Sequence, residues 1–324
     1  MIKTILLILF LMALFFLAVM VIDNHRFVVR RYVLRSPLIR YPVKAVFIAD
    51  LHEKDYGNGN EKLAEEIGKL APDVIFVGGD LIVSGEIGRH YRRSVKTAAG
   101  GNPPRPDTEW MKNSLTLMRK LTKLCPVWFV RGNHEIRLLA YGELREYNRL
   151  FKEKTEGAGV RFLGNSRVDP AAEFNEDKDS GIRLQGLELP VECYKKFTKT
   201  DVPEEELERL LGKADPSHFT ILLTHTPVCF EQYARWGADL CLCGHVHGGL
   251  MRLPRIGGVM GTRPNLFPKY SGGQYSYEYI KDGEKKQSVL IVTCGLGMHT
   301  LPIRIFNPGE ISVIELLPDD ASKN

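Results

Sequence analysis

Apolar residues follow two patterns along this chain. Residues Thr4 to Ile22 form one long run without a charged residue, directly after Lys3. The rest of the chain has short apolar runs, and between them apolar residues recur every three or four positions, as on one face of an amphipathic helix. Short continuous runs indicate strands that are covered on both faces. This alternation predicts an α/β domain behind an N-terminal apolar helix.

The predicted strands are apolar runs bounded by turn residues. They comprise residues 45–48, 74–77, 127–130, 219–223, 239–243, 288–293 and 311–316. Helices are predicted over Glu61 to Leu70 and Trp110 to Leu124, and from Pro203, which three glutamates follow. The segment Ser84 to Pro106 is rich in Gly, Pro and Arg and lacks periodicity, so we interpret it as a long loop, either a lid or a surface excursion. Glu173 to Ser180 is interpreted as a polar turn.

The N-terminal run is long enough to cross a hydrocarbon core of roughly 30 Å as a helix. A cleaved signal peptide has a shorter apolar region, roughly 7–15 residues, that ends at small residues, whereas Asp23 to Arg26 follow this run. We therefore predict an uncleaved single-pass membrane anchor; a buried helix of a soluble protein is the alternative. Arginine is frequent in residues 26–40, which by the positive-inside rule places the large domain in the cytoplasm.

The predicted organisation is a transmembrane anchor over residues 1–24, a basic linker and first strand over 25–43, one domain over 44–318 and a polar tail over 319–324. The chain has 324 residues, of which 44% are hydrophobic and 26% charged, an ordinary globular balance. The formal charge of +5 is modest and no dense basic stripe stands out, so a nucleic-acid partner is not expected. The 6 cysteines lie mostly inside apolar runs and are interpreted as buried thiols.

Polar residues with metal-binding chemistry directly follow five of the predicted strands. They are Asp50, His52, Asp80, Asn133, His134, His225, His245 and His247. Ligands in α/β sheets collect beyond the carboxyl ends of strands, so these residues are expected to converge. Carboxylate, amide and imidazole groups bind divalent Mn, Fe, Co, Ni or Zn, and here they outnumber the ligands of one ion. The set suits two ions, roughly 3.5–4 Å apart, that share a carboxylate and act on a phosphorus centre.

Each motif alone has a simpler explanation. Asp80 could merely end a strand, His225 could be a satisfied core histidine, and His134 could be a polar residue at a helix start. The pair His245 and His247 is more specific, because alternation in an extended segment puts both rings on the same side. The ordered succession of five such segments, each after an apolar strand, favours a metal centre over these separate explanations.

The order D-x-H, G-D, G-N-H-E, H and G-H-x-H resembles the calcineurin-like metallophosphoesterase superfamily, over about Lys44 to Leu316. The resemblance implies a four-layer α/β/β/α sandwich of two mixed sheets with helices outside. It also implies two divalent-metal sites bridged by Asp80: Asp50, His52 and His247 at one, and Asn133, His225 and His245 at the other. His134 would contact the phosphate and help the leaving group depart, and Glu135 would either orient His134 or cap a helix.

Features near both ends are similar to one bacterial subgroup of membrane-associated phosphodiesterases. These features are the apolar anchor, Val28 to Leu34, Gly249 to Pro254 and Gly295 to Pro308. The subgroup includes enzymes of the UDP-2,3-diacylglucosamine pyrophosphatase type, which implies a lipid or a UDP-linked lipid precursor as substrate. Four arginines near the ligand loops are candidate contacts for a second phosphate: Arg252, Arg304, Arg255 and Arg263.

The leading hypothesis is a hydrolase of phosphodiesters or pyrophosphates that uses two metal ions, with Asp80 and His134 as catalytic residues and water attacking phosphorus in line. A general or cyclic-nucleotide phosphodiesterase is the alternative enzyme. Two alternatives are not enzymes: a membrane scaffold that has lost catalytic activity, and a metal-dependent lipid sensor. A degenerate scaffold is expected to lack at least one ligand, and no signature position is missing here. The metals, the substrate and the oligomeric state stay open.

Overall fold

The computed structural model describes residues 1–97, 105–168, 179–195, 201–262, 265–299 and 301–319. Its α-helices are α1 (Ile2–His25), α2 (Glu61–Lys69), α3 (Ser84–Thr97), α4 (Lys112–Leu121), α5 (Asn133–Ala140), α6 (Arg145–Glu156), α7 (Glu204–Leu211) and α8 (Phe230–Trp236). Short 3₁₀ helices lie at Glu109–Met111, Gly142–Leu144 and Val191–Tyr194. The strands are β1 (Phe27–Ser36), β2 (Val43–Ile48), β3 (Val74–Val77), β4 (Val127–Phe129), β5 (Arg161–Phe162), β6 (Arg167–Val168), β7 (Ile182–Leu187), β8 (Phe219–Thr224), β9 (Leu240–Cys243), β10 (Arg252–Leu253), β11 (Gly257–Gly258), β12 (Gly273–Lys281), β13 (Glu284–Val292) and β14 (Gly309–Pro318).

Most of these strands belong to two mixed sheets. The first has the order β1-β14-β2-β3-β4-β5 and the second the order β12-β13-β9-β8-β7-β6, while β10 and β11 pair separately. In the first sheet β2, β3 and β4 run parallel, with Ala45 opposite Val74 and Ile75 opposite Val127. In the second sheet β7, β8, β9 and β13 run parallel. Each sheet therefore directs several strand ends toward the same edge.

Alternate residues of each strand enter different cores. On β2, Ala45 and Phe47 pack between the two sheets, whereas Val46 and Ile48 pack beneath the helices on the outer face of the first sheet. A third cluster, which includes Leu222 of β8, lies between the second sheet and helices α7 and α8. Because both faces of each sheet are covered, the strands are apolar at nearly every position. This α/β/β/α sandwich confirms the predicted fold class.

The prediction of a long loop from Ser84 is wrong for its first part, which forms helix α3. Ile87 and Gly88 are buried, and Tyr91 packs partly against the core beneath the first sheet. Gly88 packs beside Leu144, and a Cβ added to it would lie at an ordinary contact distance of 3.5 Å from Leu144 Cδ1. Glycine at a core-facing position hides the apolar periodicity that identifies a helix. Residues 98–104 of the predicted loop and 173–178 of the predicted polar turn lie outside the described residues.

Helix α1 is long and apolar enough to cross a membrane, and its apolar side chains are largely exposed. It leads directly into β1, an edge strand that pairs in parallel with β14 from Phe27–Gly309 to Ser36–Pro318. The end of the helix is therefore tied to the sheet by a full-length strand, without a flexible linker between them.

Candidate metal centre

The predicted metal ligands, together with the predicted catalytic residue His134, lie in the segments that follow the carboxyl ends of parallel strands. They follow β2 (Asp50, His52), β3 (Asp80), β4 (Asn133, His134), β8 (His225) and β9 (His245, His247). All of them are buried except His245, which is half-buried. The structure therefore brings the whole predicted set together at the edge where the two sheets meet.

The loops that carry these side chains are tightly folded. Five of the predicted site residues have positive φ, from 48° to 73°: Asp50, His52, Asp80, His245 and His247. Such conformations cost of order 1–3 kcal/mol for non-glycine residues and cluster at functional sites. Gly132 permits a close approach, since a Cβ there would lie 2.2 Å from Asp80 Oδ1. The sequence G-N-H-E thus needs its glycine to pass beside the carboxylate.

One group of ligand atoms surrounds the carboxylate of Asp80. His225 Nε2 lies 3.1 Å from Asp80 Oδ2 and 3.2 Å from His245 Nδ1. His225 Nδ1 donates to the carbonyl of Gly78 at 2.7 Å, which directs Nε2 into the site. A backbone carbonyl in this position is the usual way to fix the tautomer of a metal-binding histidine.

The amide of Asn133 completes this group. With its oxygen inward, that oxygen lies 2.8 Å from His245 Nδ1 and 3.3 Å from His225 Nε2; with the amide reversed, its nitrogen would donate to both rings. The protein atoms alone favour the reversed amide. A cation bound among these atoms would favour the oxygen, because the amide oxygen, two imidazoles and a carboxylate are all electron-pair donors. The donor set fits a divalent metal.

A second group of ligand atoms lies beside the first. His52 Nε2 is 3.3 Å from His247 Nε2, and His247 Nδ1 donates to the carbonyl of Gly297 at 3.2 Å. Asp50 Oδ1 lies 3.9 Å from both of these Nε2 atoms. Asp80 Oδ2 is 3.9 Å from His52 Nε2 as well, so its carboxylate reaches both groups.

His134 is held differently from the other histidines. Its Nδ1 accepts the backbone N–H of Ser84 at 3.0 Å and contacts the Ser84 hydroxyl at 2.9 Å. A neutral imidazole that accepts at Nδ1 carries its proton on Nε2. That Nε2 is buried, lies 3.9 Å from Asp80 Oδ2 and has no hydrogen-bond partner among the described residues. His134 therefore presents an N–H donor to the site, whereas a metal ligand would need a lone pair there.

Glu135 organises the loop of Asp80. Its carboxylate accepts the backbone N–H groups of Asp80 and Leu81, each at 2.9 Å, and that of Ile82 at 3.3 Å. It also accepts the N–H of Gly132 at 2.9 Å, which caps helix α5. Of the two sequence-based interpretations, the helix cap matches the structure, and the same carboxylate also ties β3's loop to α5.

The electrostatics of the site favour a positive charge at its centre. Burial works against protonation of His225, yet the Asp80 carboxylate raises the pKa of this ring to about 9. Burial raises the pKa of Asp50 to about 7. Burial also lowers the pKa values of His52 and His245 well below the usual range, so both rings are neutral electron-pair donors. His225 therefore keeps a proton at neutral pH, and a metal ion that binds this ring would have to displace that proton.

A cleft of about 420 Å³ opens from the second-sheet side of the site. Its lining includes His245, Thr226, Asn265, Pro268 and Lys269. A phosphate that reaches the ligand atoms through this cleft would pass His245, the one half-buried member of the set.

The two arginines predicted to bind substrate both donate to backbone carbonyl oxygens. Arg304 is 1% exposed, and its terminal nitrogens donate to the carbonyl oxygens of Cys294, Gly295, Gly297, Asn307 and Pro308. Arg252 donates to the carbonyls of Gly248 and Gly272. Both guanidinium groups hold loops together, and proximity in sequence could not reveal this. Arg255 is exposed at a turn, and Arg263 lies outside the described residues.

Sequence reasoning missed His299. Its ring centroid lies 4.7 Å from that of His52 and 4.6 Å from that of His134, and its ligand atom lies within 4.8 Å of those of His52 and His247. A signal was present, because β13 runs parallel to β9 and so ends at the same edge as the metal-binding segments. Ser84, which sets the tautomer of His134, had no comparable signal.

Comparisons with known proteins agree with this geometry. The family model for calcineurin-like phosphoesterases matches residues 43–249, more than half of the chain. The metallophosphoesterase YkuE of Bacillus subtilis is 31% identical over 91% of this chain and 87% of its own length. The protein YpbG of the same organism is 24% identical over 85% of this chain and 81% of its own length.

Similarity to solved structures is weaker. The NAD nucleotidase NadN of Haemophilus influenzae has a TM-score of 0.39 and 13% identity, and covers 78% of this chain and 45% of that one. A dimetal phosphatase from Danio rerio has a TM-score of 0.36 and 13% identity, and covers 80% of this chain and 88% of that one. At these scores the structural similarities carry no argument of their own.

The family therefore rests on the matched model, the relatives and the buried set of carboxylate, amide and imidazole ligands. The residues matched by the model include every segment of the metal centre from Asp50 to His247. The chain belongs to the calcineurin-like phosphoesterase family and is a metal-dependent phosphoester hydrolase.

Proposed function

We propose that the centre binds two divalent cations and hydrolyses a phosphodiester or pyrophosphate that belongs to a membrane lipid or a UDP-linked lipid precursor. The observation that carries this proposal is the pair of ligand groups that share Asp80. Asp80 Oδ2 lies 3.1 Å from His225 Nε2 in one group and 3.9 Å from His52 Nε2 in the other.

The proposed division of ligands follows these groups. Asp50, His52 and His247 would hold one ion, Asn133, His225 and His245 the other, and Asp80 both. When bound, such ions supply Lewis acidity at the phosphoryl group and lower the pKa of the attacking water. Their identity, among Mn, Fe, Zn, Co and Ni, is not settled by the donor set, because all of these metals accept imidazole and carboxylate.

His134 would act on the substrate without binding metal. Burial lowers the pKa of His134 to about 4, so the ring is neutral at pH 7 and its Nε2–H is a hydrogen-bond donor. Directed at a phosphoryl or leaving-group oxygen, it would stabilise the negative charge that develops there. The backbone N–H of Ser84 keeps this proton on Nε2.

The apolar helix α1 favours the hypothesis that the substrate lies in the same membrane. A single-pass anchor would keep the cleft beside the bilayer and raise the effective concentration of a lipid substrate. Arg26 and the arginines of β1 follow the apolar run directly, which favours a cytoplasmic position for the domain.

The test is the metal content and activity of the full-length chain in detergent. We expect two metal equivalents per chain, Mn²⁺-dependent hydrolysis of bis(p-nitrophenyl) phosphate, and loss of both metal binding and hydrolysis in Asp80→Asn. Asp239→Asn is the matched control, because Asp239 is also a largely buried carboxylate but accepts the backbone N–H of Thr220 away from the centre. One metal equivalent or fewer would overturn the two-metal proposal.

The substrate is tested on the same protein. A UDP-linked diacyl sugar and a lipid pyrophosphate, each presented in vesicles, are compared with cyclic nucleotides in solution. Faster hydrolysis of a lipid substrate than of every water-soluble one supports the proposal. The reverse order would reject a lipid substrate and leave the two-metal centre intact.

A further inference from the structure

Six exposed apolar side chains lie in two parts of the domain, the segment that follows β10 and the segment before β14. They are Ile256 (63% exposed), Met260 (40%), Leu266 (65%), Phe267 (54%), Leu301 (52%) and Phe306 (43%). We call this set the apolar face. Other exposed apolar residues of the domain, such as Val33 and Ile280, belong to other elements of the fold, and a soluble surface tolerates scattered ones without a special reason.

Backbone hydrogen bonds join the segments that carry the apolar face. Phe267 N–H donates to the carbonyl of Val259, and Val259 N–H donates to that of Met251. Met251 in turn forms a β-bridge with Ile305. The face is therefore a ribbon of neighbouring extended segments, beginning at residues 265–267 and ending beside Phe306.

Phe306 joins this ribbon to helix α1. Its ring centroid lies 6.3 Å from those of Phe15 and Phe16. Phe16 precedes the end of the apolar run at Ile22 by six residues, about 9 Å along a helix. If the run spans a bilayer, Phe306 lies about that far inside the end of the span, which is within the depth that interfacial apolar groups occupy.

The junction between α1 and the domain is fixed by polar contacts, and the one between Asp23 and Asn307 is buried. Asp23 is 1% exposed; its Oδ2 accepts the N–H of Asn307 at 2.9 Å, and its Oδ1 pairs with Arg26 at 2.8 Å. Asn24 Nδ2 donates to the carbonyl of Pro302 at 2.7 Å. The helix therefore cannot swing freely, and its direction determines which face of the domain meets the membrane.

From these contacts we infer that the apolar face is a second membrane-contact surface, seated in the lipid interface beside α1. The chosen partner is a lipid surface because the face is continuous with the apolar helix through Phe306. Arg255, exposed next to Ile256 at the turn between β10 and β11, adds a cation at headgroup level, where anionic lipids attract it.

This placement determines how a lipid reaches the metal centre, a step that rests on the proposed function. The cleft beside His245 is lined by Gly261, Asn265 and Pro268. Each of these residues is next in sequence to a residue of the apolar face. The cleft and the lipid surface thus share a wall. A substrate could keep its acyl chains in the bilayer while its phosphate enters the cleft.

Brominated lipids test the contact directly. The full-length chain is reconstituted in phosphatidylcholine–phosphatidylglycerol nanodiscs, with tryptophan introduced as Phe267→Trp or Ile256→Trp. The control is Ile280→Trp, because Ile280 is 78% exposed near the turn between β12 and β13. The 3 native tryptophans are common to all variants, so the measured quantity is quenching relative to the unmodified chain.

We expect several-fold stronger quenching, and a blue-shifted emission, for Phe267→Trp and Ile256→Trp than for Ile280→Trp. Quenching of all three to the same low degree would overturn the inference. A blue shift without bromine quenching would overturn it too, and would indicate a protein partner or a second copy at this face. None of these outcomes depends on hydrolysis, so failure of the proposed function is seen separately, in the activity assay.

A charged pair tests the functional consequence. Leu266→Glu with Phe267→Glu is expected to lower kcat/KM several-fold for a lipid pyrophosphate in vesicles and to leave hydrolysis of bis(p-nitrophenyl) phosphate unchanged. An equal loss on both substrates would indicate a structural defect in the cleft wall and count against the shared-wall argument.

Discussion

Folded proteins usually bury apolar side chains and expose charged ones. The metal centre departs from this rule by burying polar groups, and the apolar face departs from it by exposing apolar ones. At the centre, carboxylates and imidazoles are buried, with Asp50 and His225 fully enclosed. At the face, Leu266 and Phe267 are more than half exposed. Buried charge and exposed apolar surface are both unfavourable when nothing compensates them. Each region is therefore explained by a partner from outside the chain: cations for the first and, as we infer, lipid for the second.

The two regions also differ in how they are held. The centre lies at the strand ends of two packed sheets. The Glu135 carboxylate accepts three backbone N–H groups from the Asp80 loop and a fourth from Gly132. The face is built from short extended segments that bond mainly to one another. We expect substitutions at the centre to remove chemistry and substitutions at the face to change only the reaction with membrane-bound substrate.

The largest effect is expected for Asp80→Asn. The loss in kcat/KM should exceed the roughly 100-fold that substitutions of outer partners cost at metal sites, because Asp80 reaches both ligand groups. Mass spectrometry of bound metal and steady-state kinetics measure it, with Asp239→Asn as control. Retention of both metals and of activity would show that Asp80 is not shared.

His134→Gln should separate substrate contact from metal binding. We expect a loss of about 100-fold or more in kcat, typical for a positioned proton donor, with unchanged metal content, because Nδ1 of His134 is already bonded to Ser84. Loss of a metal in this variant would make His134 a ligand and contradict the assigned tautomer.

Metal affinity should rise with pH. The pKa values of about 7 for Asp50 and about 9 for His225 mean that both groups carry protons below those values in the metal-free chain. Metal binding must displace these protons, so affinity should fall by up to about tenfold for each unit by which the pH is lowered and for each proton released. Calorimetry in buffers of different ionisation enthalpy counts the protons; an affinity independent of pH between about 6 and 9 would contradict the shifts.

The smallest effect is expected where the two regions meet. The side-chain amide of Asn307 donates to the carbonyl of His247 at 2.7 Å, and its backbone N–H donates to Asp23. Asp23→Ala should therefore lower kcat/KM on soluble diesters only a few-fold and increase hydrogen exchange at residues 302–307. An unchanged exchange pattern would show that α1 does not hold this loop.

Much of the fold and of the centre could be predicted from the sequence. Strands covered on both faces are continuously apolar, so the sequence shows β2, β3, β8 and β9 as apolar runs. The polar residues that follow these parallel strands are expected at the same edge of the sheets. The helix α3 could not be predicted, because Gly88 faces the core where an apolar residue would have marked the period. The hydrogen-bond partners of Arg304 could not be predicted either, because they are backbone carbonyls, which leave no trace in sequence.

The sequence by itself determined the ligand types, their order and the long apolar N-terminal helix, because these depend on residue chemistry next to a local pattern. Tertiary structure alone decided which histidine bears a proton on Nε2, since the partner that sets it, Ser84, is distant along the chain. It also decided that His299 joins the site and that Phe306 touches α1. Hydrogen-bond partners and shared surfaces depend on which segments the fold makes neighbours, and no local pattern encodes that.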